Sequence, residues 1–465
     1  MTKQSYMDID LSVGSWSVSD QYVYRHEFYG GLLVSRYDGH HIETSQATFA
    51  FIRALDSGAT VEAAEGLVLS LFGNFSRDDV HDLVRQGIVI PIDNVRHVHV
   101  DLGELRADLR RSFQESQSRS YLRAPLNLSI YPLMECQLSC AFCFVTEEKW
   151  QIKNYKPQES WKAILREARQ AGVPFVSILG GEPTLYRGLP ALISLVEEIG
   201  LKTTFTTNGL YLSDEITDIL AGGRWTTPVI SLQSLGQRNL DVTGTPPERP
   251  LQVIAKLRQR DIPCRVNAVY TGQSLEELKE IALLCDALGV ERFSIGHYLN
   301  LKNPLDAPSF EQSRQMFEAM HEFTSSLRLS FSLEGCLTYS AYPELAVSAP
   351  SSHAKLVHGC EAGNGRGEIM PDGTILPCSS LDVKKWGGLN VFEAGFQRAW
   401  DESNAFDRIR RGKTKDRSCQ SCKFVEVCNG GCPAVNERSH GEAFSTGDPR
   451  CNLRAPNETT STAVA

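Results

Sequence analysis

The first 135 of the 465 residues contain no cysteine, although the chain carries 13. No apolar run approaches the ~18–20 residues of a membrane-spanning helix, which excludes the class of helical membrane proteins. Met1–Val13 carries acids and has no apolar core segment, so no secretory signal is visible and a cytoplasmic protein is expected. Excess positive charge is missing too: 47 Lys and Arg stand against 56 Asp and Glu, a net charge of −9. That argues against nucleic-acid or anionic-membrane partners, which draw much of their affinity from clustered cations. In a reducing compartment the cysteines then point to metal ligation rather than to a disulfide framework.

The chain is long enough for two or three domains, and the cysteines divide it unevenly. Residues 1–95 read as a small α+β unit. Tyr22–Phe28 and Leu32–Tyr37 are strand-like, Asp38-Gly39 is a hairpin-turn signal, and three short helical stretches follow. The last of these places Val80, Leu83 and Val84 on one face and breaks at Gly87 into the strand Ile88–Ile90. The pattern is winged-helix-like, with DNA binding or plain packing as the bland alternatives. Residues 96–123 are dense in charge of both signs and read as a solvated linker helix.

From 124 to 335 strand-like and helical stretches alternate. The strands are Leu126–Tyr131, Phe175–Leu179, Lys202–Thr207, Val229–Gln233, Cys264–Thr271 and Arg292–His297. Trp161, Ile164, Leu165 and Ala168 form an apolar helical stripe, and Ser274 with Glu277 makes a capping box. Six β/α units with parallel connections predict an α/β fold, a partial (β/α)6 barrel whose chemistry collects at the strands' C-terminal ends. Residues 336–453 are rich in Cys, Gly and Pro and poor in periodic segments, so a fold organised around metal is expected. Residues 454–465 read as a disordered tail.

Cys136-x3-Cys140-x2-Cys143 directly follows the first barrel strand. Three thiolates from one loop can hold three irons of a [4Fe–4S] cube and leave the fourth open, whereas structural zinc usually takes four protein ligands. This spacing, with Phe142 before the last cysteine, resembles the signature of radical S-adenosylmethionine (SAM) enzymes. Gly180-Gly181-Glu182-Pro183, at the end of the second strand, is similar to that family's element for the SAM amino group. There the glycines are expected to admit close backbone approach and the carboxylate to pair with an ammonium. Thr206-Thr207-Asn208-Gly209 closes strand three in the same manner. The resemblance further implies SAM contacts at Thr207, Asn208, Ser231, Gln233 and Asn267, each with a satisfied core hydrogen bond as its bland alternative. Many relatives carry an acid where Gln233 stands, which puts any role of that acid in doubt here.

A second set reads Cys360-x12-Gly373-x4-Cys378, then Cys419-x2-Cys422-x5-Cys428-x3-Cys432, then 18 residues and Cys451. It resembles the seven-cysteine SPASM domain that follows radical SAM cores in peptide-modifying enzymes; zinc sites are the bland alternative. The resemblance assigns Cys419, Cys422, Cys428 and Cys451 to an outer auxiliary iron–sulfur cluster. It assigns Cys360, Cys378 and Cys432 to an inner one, with Cys336, His353, His358 or a substrate thiolate as the open fourth ligand. Cys264 and Cys285 read as core residues.

By this resemblance the enzyme binds SAM on a [4Fe–4S] cluster, which reduces SAM to methionine and a 5′-deoxyadenosyl radical that takes a substrate hydrogen. The N-terminal unit is similar to the PqqD-like element that binds a precursor's leader peptide as an added strand, with Leu32–Tyr37 or its neighbour as the receiving edge. The family reading is a maturase of ribosomally made precursor peptides, installing a thioether or carbon–carbon crosslink and drawing electrons from a flavodoxin or ferredoxin. The alternatives are a formylglycine-generating sulfatase maturase and, outside enzymes, a zinc-stabilised regulatory or scaffold protein. Sulfatase maturases typically carry an acid after the residue equivalent to Cys378, where this chain has Ser379.

Overall fold

The computed structural model describes residues 15–37, 39–92, 101–145, 149, 151–153, 155–301, 306–334, 360–451 and 453. The expected disordered tail and the candidate ligands Cys336, His353 and His358 lie outside them. The chain divides into two compact units. The first comprises Met1–Ala124 with Gln170–Pro174, and the second comprises the remainder.

In the first unit β1 (Ser15–Val18) pairs antiparallel with β5 (Val89–Ile92), and β2 (Tyr22–Glu27), β3 (Gly30–Ser35) and β4 (His41–Thr44) form a meander. Between them run α1 (Gln46–Asp56), α2 (Val61–Phe72) and α3 (Asp78–Arg85). Ser45 and Thr60 begin α1 and α2 by accepting from the third amide onward, which satisfies donors the helix leaves unpaired. β1 and β4 are too short and polar to show in the sequence pattern. β4 matters, because it makes β3 the central strand, bonded to β2 on one side and β4 on the other. Of the two expected receiving edges, Leu32–Tyr37 or its neighbour, the first is therefore corrected: the hydrogen bonds of β3 are used on both sides.

The charge-dense segment holds α4 (Leu102–Gln117), capped by Asp101. It is not a solvated linker. Leu109 and Phe113 are buried in the unit's core with Trp16, Phe49 and Leu55. Leu102 and Leu105 pack partly buried against the same core, so an apolar stripe docks a helix whose other positions are largely charged.

The second unit is built on one sheet of order β12-β11-β10-β9-β8-β7-β6-β13-β14. β6 (Asn127–Ile130), β7 (Phe175–Ile178), β8 (Lys202–Thr207), β9 (Thr226–Ser231), β10 (Arg265–Tyr270), β11 (Arg292–His297) and β12 (Ser330–Glu334) run parallel. The helices between them are α5 (Gln158–Gln170), α6 (Leu189–Ile199), α7 (Asp214–Gly222), α8 (Gln237–Thr243), α9 (Glu248–Gln259), α10 (Leu275–Leu288) and α11 (Phe310–Thr324). The capping box of Ser274 and Glu277 forms at α10. This is a partial α/β barrel whose sheet has two more parallel strands than expected, β12 at one edge and, beside β6, Arg366–Ile369. β12 escaped notice because its sequence SFSLE is half polar and its side chains are half-buried or exposed.

The pairing register sorts side chains between two faces, since neighbours in register point the same way. Leu128, Ile130, Val176, Ile178, Phe205, Ile230, Val266, Ala268, Phe293 and Ile295 are all buried on one of them. The opposite face carries Asn127, Ser177, Thr204, Thr206, Ser231, Asn267 and Ser294. Ser177 Oγ donates to Asn127 Oδ1 at 3.2 Å, and Asn267 Nδ2 to Ser294 Oγ at 3.0 Å. Closed eight-stranded barrels fill this side with branched aliphatic residues. Here it is polar, a surface suited to hydrogen bonding.

The C-terminal segment departs from expectation most. β13 (Arg366–Ile369) joins the barrel sheet beside β6, and β14 (Ile375–Leu376) pairs antiparallel with it. α12 (Phe396–Glu402) and α13 (Asn404–Arg411) follow. Trp386, Phe396, Trp400 and Phe406 are fully buried, and Trp161 of α5 meets Phe392 edge-on at 5.0 Å. This segment buries an apolar core of its own. Its aromatics are spaced irregularly, so no periodicity announced it.

Candidate active site: a cysteine loop on the strand ends

Cys136, Cys140 and Cys143 lie in the loop after β6, and all three are solvent-accessible to some degree. Backbone contacts fix the loop against the end of α8: Ala141 N donates to Val242 O at 2.9 Å, and Cys140 Sγ lies 3.9 Å from Thr243 O. The Tyr298 hydroxyl, just past β11, donates to Ala141 O at 3.4 Å. Burial, followed by the charges of Cys143 and Cys136, pushes the Cys140 thiol up to about 12. Three thiols close enough to repel one another as thiolates need a cation to ionise together, and iron supplies it. Phe142 is half-buried within the loop.

Gly180 and Gly181 admit close backbone approach, here from the chain segment that leads into the cysteine loop. A Cβ on Gly181 would lie 2.0 Å from Glu135 O and 2.4 Å from Met134 O. Gly180 has φ +148°, and a Cβ there would lie 2.4 Å from Leu133 O. The carbonyls that approach belong to the root of the cysteine loop. Gly181 N donates to Leu133 O and Glu182 N to Glu135 O, so pairing of β6 with β7 continues past the strands. The glycines fit the two chain segments together, and thereby set the loop beside Glu182.

Glu182 is buried. Its Oε1 accepts from Thr184 N, Thr184 Oγ1 and Thr207 Oγ1 at 3.1, 2.6 and 2.7 Å, and its Oε2 accepts from Asn208 N at 2.8 Å. Burial still raises its pKa over the opposing effect of these bonds. Among the described residues no cation pairs with this carboxylate, and an ammonium at Oε2 would provide one. Pro183 starts the short 3₁₀ turn Pro183–Leu185 and is buried. Asn208 joins the parts: its amide serves Glu182, and its Nδ2 lies 3.8 Å from Cys136 Sγ.

Gln233 is buried, with Oε1 accepting from Val269 N at 2.8 Å, while Nε2 has no partner among the described residues. An orphaned buried donor costs about 1–3 kcal/mol, so it fits a polar ligand at this strand end. Asn239 was not foreseen. It accepts from Gln233 N at 2.8 Å and donates to Thr245 O at 2.9 Å, fixing the loop after β9. Ser231 ends β9 half-buried, in register with Asn267. Asn267 Nδ2 is occupied by Ser294 and, at 3.5 Å, Glu334 Oε2, which favours a sheet-bridging role.

In the C-terminal region Cys419, Cys422, Cys428 and Cys451 line one cavity together with Phe424 and Asp448. Asp416 organises its rim, with Oδ1 accepting from Ser418 N and Cys419 N and Oδ2 from Gly447 N. Cys378 and Cys432 are near enough to interact electrostatically, and Cys360 is exposed. Among the described residues no three His, Cys, Asp or Glu converge on a single ion. The thiols surround a space, the arrangement suited to a cube that takes one thiolate at each corner iron. Cys264 and Cys285 are buried in the core. No helix among the described residues is long and apolar enough to cross a membrane.

Comparison with known proteins agrees with this geometry. A model of the radical SAM superfamily matches residues 130–285, and one of the SPASM iron–sulfur cluster-binding domain matches residues 360–423. The PqqA peptide cyclase of Bradyrhizobium diazoefficiens is 28% identical over 351 residues, 72% of this chain and 88% of that protein. The crystal structure of Streptococcus suis SuiB bound to S-adenosylmethionine superposes with a TM-score of 0.83 at 31% identity. It covers 94% of this chain and 100% of that one. SuiB bound to its precursor peptide SuiA gives 0.82 at 30% identity with the same coverage.

Proposed function

The chain belongs to the radical SAM superfamily and carries a SPASM iron–sulfur domain, and from that premise we propose that it is a maturase of a ribosomally made precursor peptide. The observation that carries the proposal is the convergence of Cys136, Cys140 and Cys143 with Glu182 and Asn208 at adjacent strand ends, above a polar sheet face. Cys136, Cys140 and Cys143 hold the [4Fe–4S] cluster, and Glu182, Gln233 and the Asn208 region hold SAM. When bound, the cluster and SAM supply one-electron chemistry and a hydrogen-abstracting radical. Glu182, locked in place by Thr184, Thr207 and Asn208, would orient the SAM ammonium. Gln233 Nε2 would donate to a polar atom of SAM. Cys419, Cys422, Cys428 and Cys451 hold the outer auxiliary cluster, and Cys360, Cys378 and Cys432 hold the inner one.

The polar inner face presents hydroxyls and amides to an extended peptide, while the first unit captures its leader. β4 is the receiving edge, since β3 is paired on both sides and β2 is largely buried whereas β4 is half-exposed. The product is a thioether or carbon–carbon crosslink, with a flavodoxin or ferredoxin as cytoplasmic electron donor. Ser379 in place of an acid, and the presence of the leader-binding unit, speak against sulfatase maturation.

Co-expression with a small peptide encoded beside the gene, followed by mass spectrometry, tests this. The expected product lacks two hydrogens in a Cys136-dependent manner. An unchanged mass with epimerised residues would contradict crosslinking. Deleting residues 1–95 should weaken peptide binding and spare uncoupled SAM cleavage; unchanged affinity refutes the leader role.

A further inference from the structure

Between Cys432 and Cys451 lies a charged residue pair that the cysteine spacing does not account for. Arg450 and Asp448 are buried, with side chains 3% and 1% exposed. Arg450 Nε and Nη2 donate to Asp448 Oδ1 and Oδ2 at 2.9 and 2.8 Å, a bidentate pair. Asp448 Oδ2 also accepts from the amide of Cys432 at 3.2 Å. The turn leading to Cys432 is moulded on the aspartate: Asp448 N donates to Gly430 O at 2.8 Å, and a Cβ on Gly431 would lie 2.3 Å from Asp448 Cβ.

The other side of the guanidinium faces the barrel. Arg450 Nη1 lies 3.2 Å from His297 Nε2 at the end of β11, and the guanidinium stacks 4.7 Å from the ring centre of Phe310. His297 Nδ1 lies 3.3 Å from Ser313 Oγ. Burial and then the Arg450 charge hold His297 down to about 3. The imidazole is neutral at physiological pH, so Nε2 accepts from Arg450 and Nδ1 carries the hydrogen toward Ser313. A continuous buried chain thus runs from α11 through β11 to the backbone of Cys432.

A buried ion pair of this kind is not efficient at adding stability, because desolvation offsets most of the attraction. Its position supplies another reason to exist. A cluster held by thiolates becomes more negative by one charge on reduction, so a fixed neighbouring cation favours the reduced form.

We propose that Arg450, oriented by Asp448 and His297, is a positioning residue that raises the reduction potential of the inner auxiliary cluster and fixes that cluster's Cys432 ligand to the end of barrel strand β11. This rests on the assignment of Cys432 to an inner cluster. The surrounding hydrogen bonds hold the charge in one place, and the low local dielectric makes it felt.

The test is a potentiometric titration of anaerobically reconstituted full-length protein, followed by electron paramagnetic resonance. R450Q should lower the midpoint potential of one auxiliary cluster, and R450K should stay near wild type. D448N keeps an acceptor for the Cys432 amide but unmasks the guanidinium, so it should raise the same potential. The SAM-binding cluster's signal should move in none of them. Unchanged potentials, or shifts of the same sign in R450Q and D448N, overturn the proposal. If R450Q fails to retain the inner cluster, D448N decides alone, an upward shift supporting the proposal and any other result refuting it. A wild-type protein that takes up only about four iron and shows no auxiliary signal refutes the cluster assignment instead, so the two failures are distinguishable.

Discussion

The cysteine loop after β6 and the cysteine-rich C-terminal region both hold thiols at fixed separations, but on opposite kinds of scaffold. The loop has no core of its own. It hangs on parallel strand ends, set by the fit of Gly180 and Gly181 against Leu133, Met134 and Glu135. The C-terminal region packs Trp386, Phe396, Trp400 and Phe406 into an apolar interior. It adds β13 and β14 to the barrel sheet and arranges its thiols around that frame. The difference teaches where each region finds its support: the first in the barrel, and the second in its own side-chain burial.

The sharpest way to break this contrast is to remove loop ligands. Replacing Cys136, Cys140 and Cys143 together by Ala should abolish peptide modification while the protein keeps about eight of about twelve iron and its thermal stability. Loss of all iron in an iron assay would show that the two scaffolds are not independent. Next in size is Trp400→Ala. Its fully buried ring should cost about 3–5 kcal/mol in denaturant unfolding, with or without iron. An effect confined to the iron-loaded protein would mean that metal, not packing, organises the region.

The loop was legible in the sequence because its chemistry is local: three cysteines, a glycine pair with an acid, and a strand before each. Those spacings survive folding unchanged. The partners of the glycines were not legible, because what they touch lies some 45 residues earlier and is set by β6–β7 register. The C-terminal core was missed for a related reason. Its aromatics stand on short helical turns, where periodicity has no room to appear. Asp448 and Arg450 carried a faint signal as charged residues wedged beside Cys451, but only the fold shows them buried and paired. The docking of α4 is hidden in the sequence because its charged residues outnumber Leu102, Leu105, Leu109 and Phe113, which pack on the core.

Smaller effects sharpen the comparison further. Gly181→Ala places a methyl against backbone carbonyls that cannot rotate away. It should destabilise the protein by about 1–3 kcal/mol and lower retention of the loop's cluster while sparing the auxiliary ones, as read by denaturant melts and cluster spectra. Glu182→Gln keeps the shape but removes the charge. SAM affinity in equilibrium dialysis should fall about 10–100-fold, the range of a charged hydrogen bond. Unchanged affinity would leave Glu182 as a strut between β7 and β8.

A last prediction concerns the end of β11, where His297 meets Arg450 of the C-terminal region. His297 is held down to about 3 in the fold against an ordinary 6.5. The unfolded chain therefore binds the extra proton first, and its contribution to stability is present above pH 6.5 and lost as pH falls toward about 3. At pH 5 the loss is about 2 kcal/mol. Relative to pH 7, His297→Gln should lose less stability than wild type in thermal melts at pH 5. Identical losses would remove His297 from the account.

The central claim is that the loop after β6 activates SAM. Anaerobically reconstituted protein should be incubated with SAM and a strong reductant, and 5′-deoxyadenosine measured by chromatography. Wild type should form it, and the triple Cys136, Cys140 and Cys143 variant should form none while its auxiliary clusters remain visible by spectroscopy. Stoichiometric zinc with no SAM cleavage in wild type, or undiminished cleavage in the triple variant, would contradict the account.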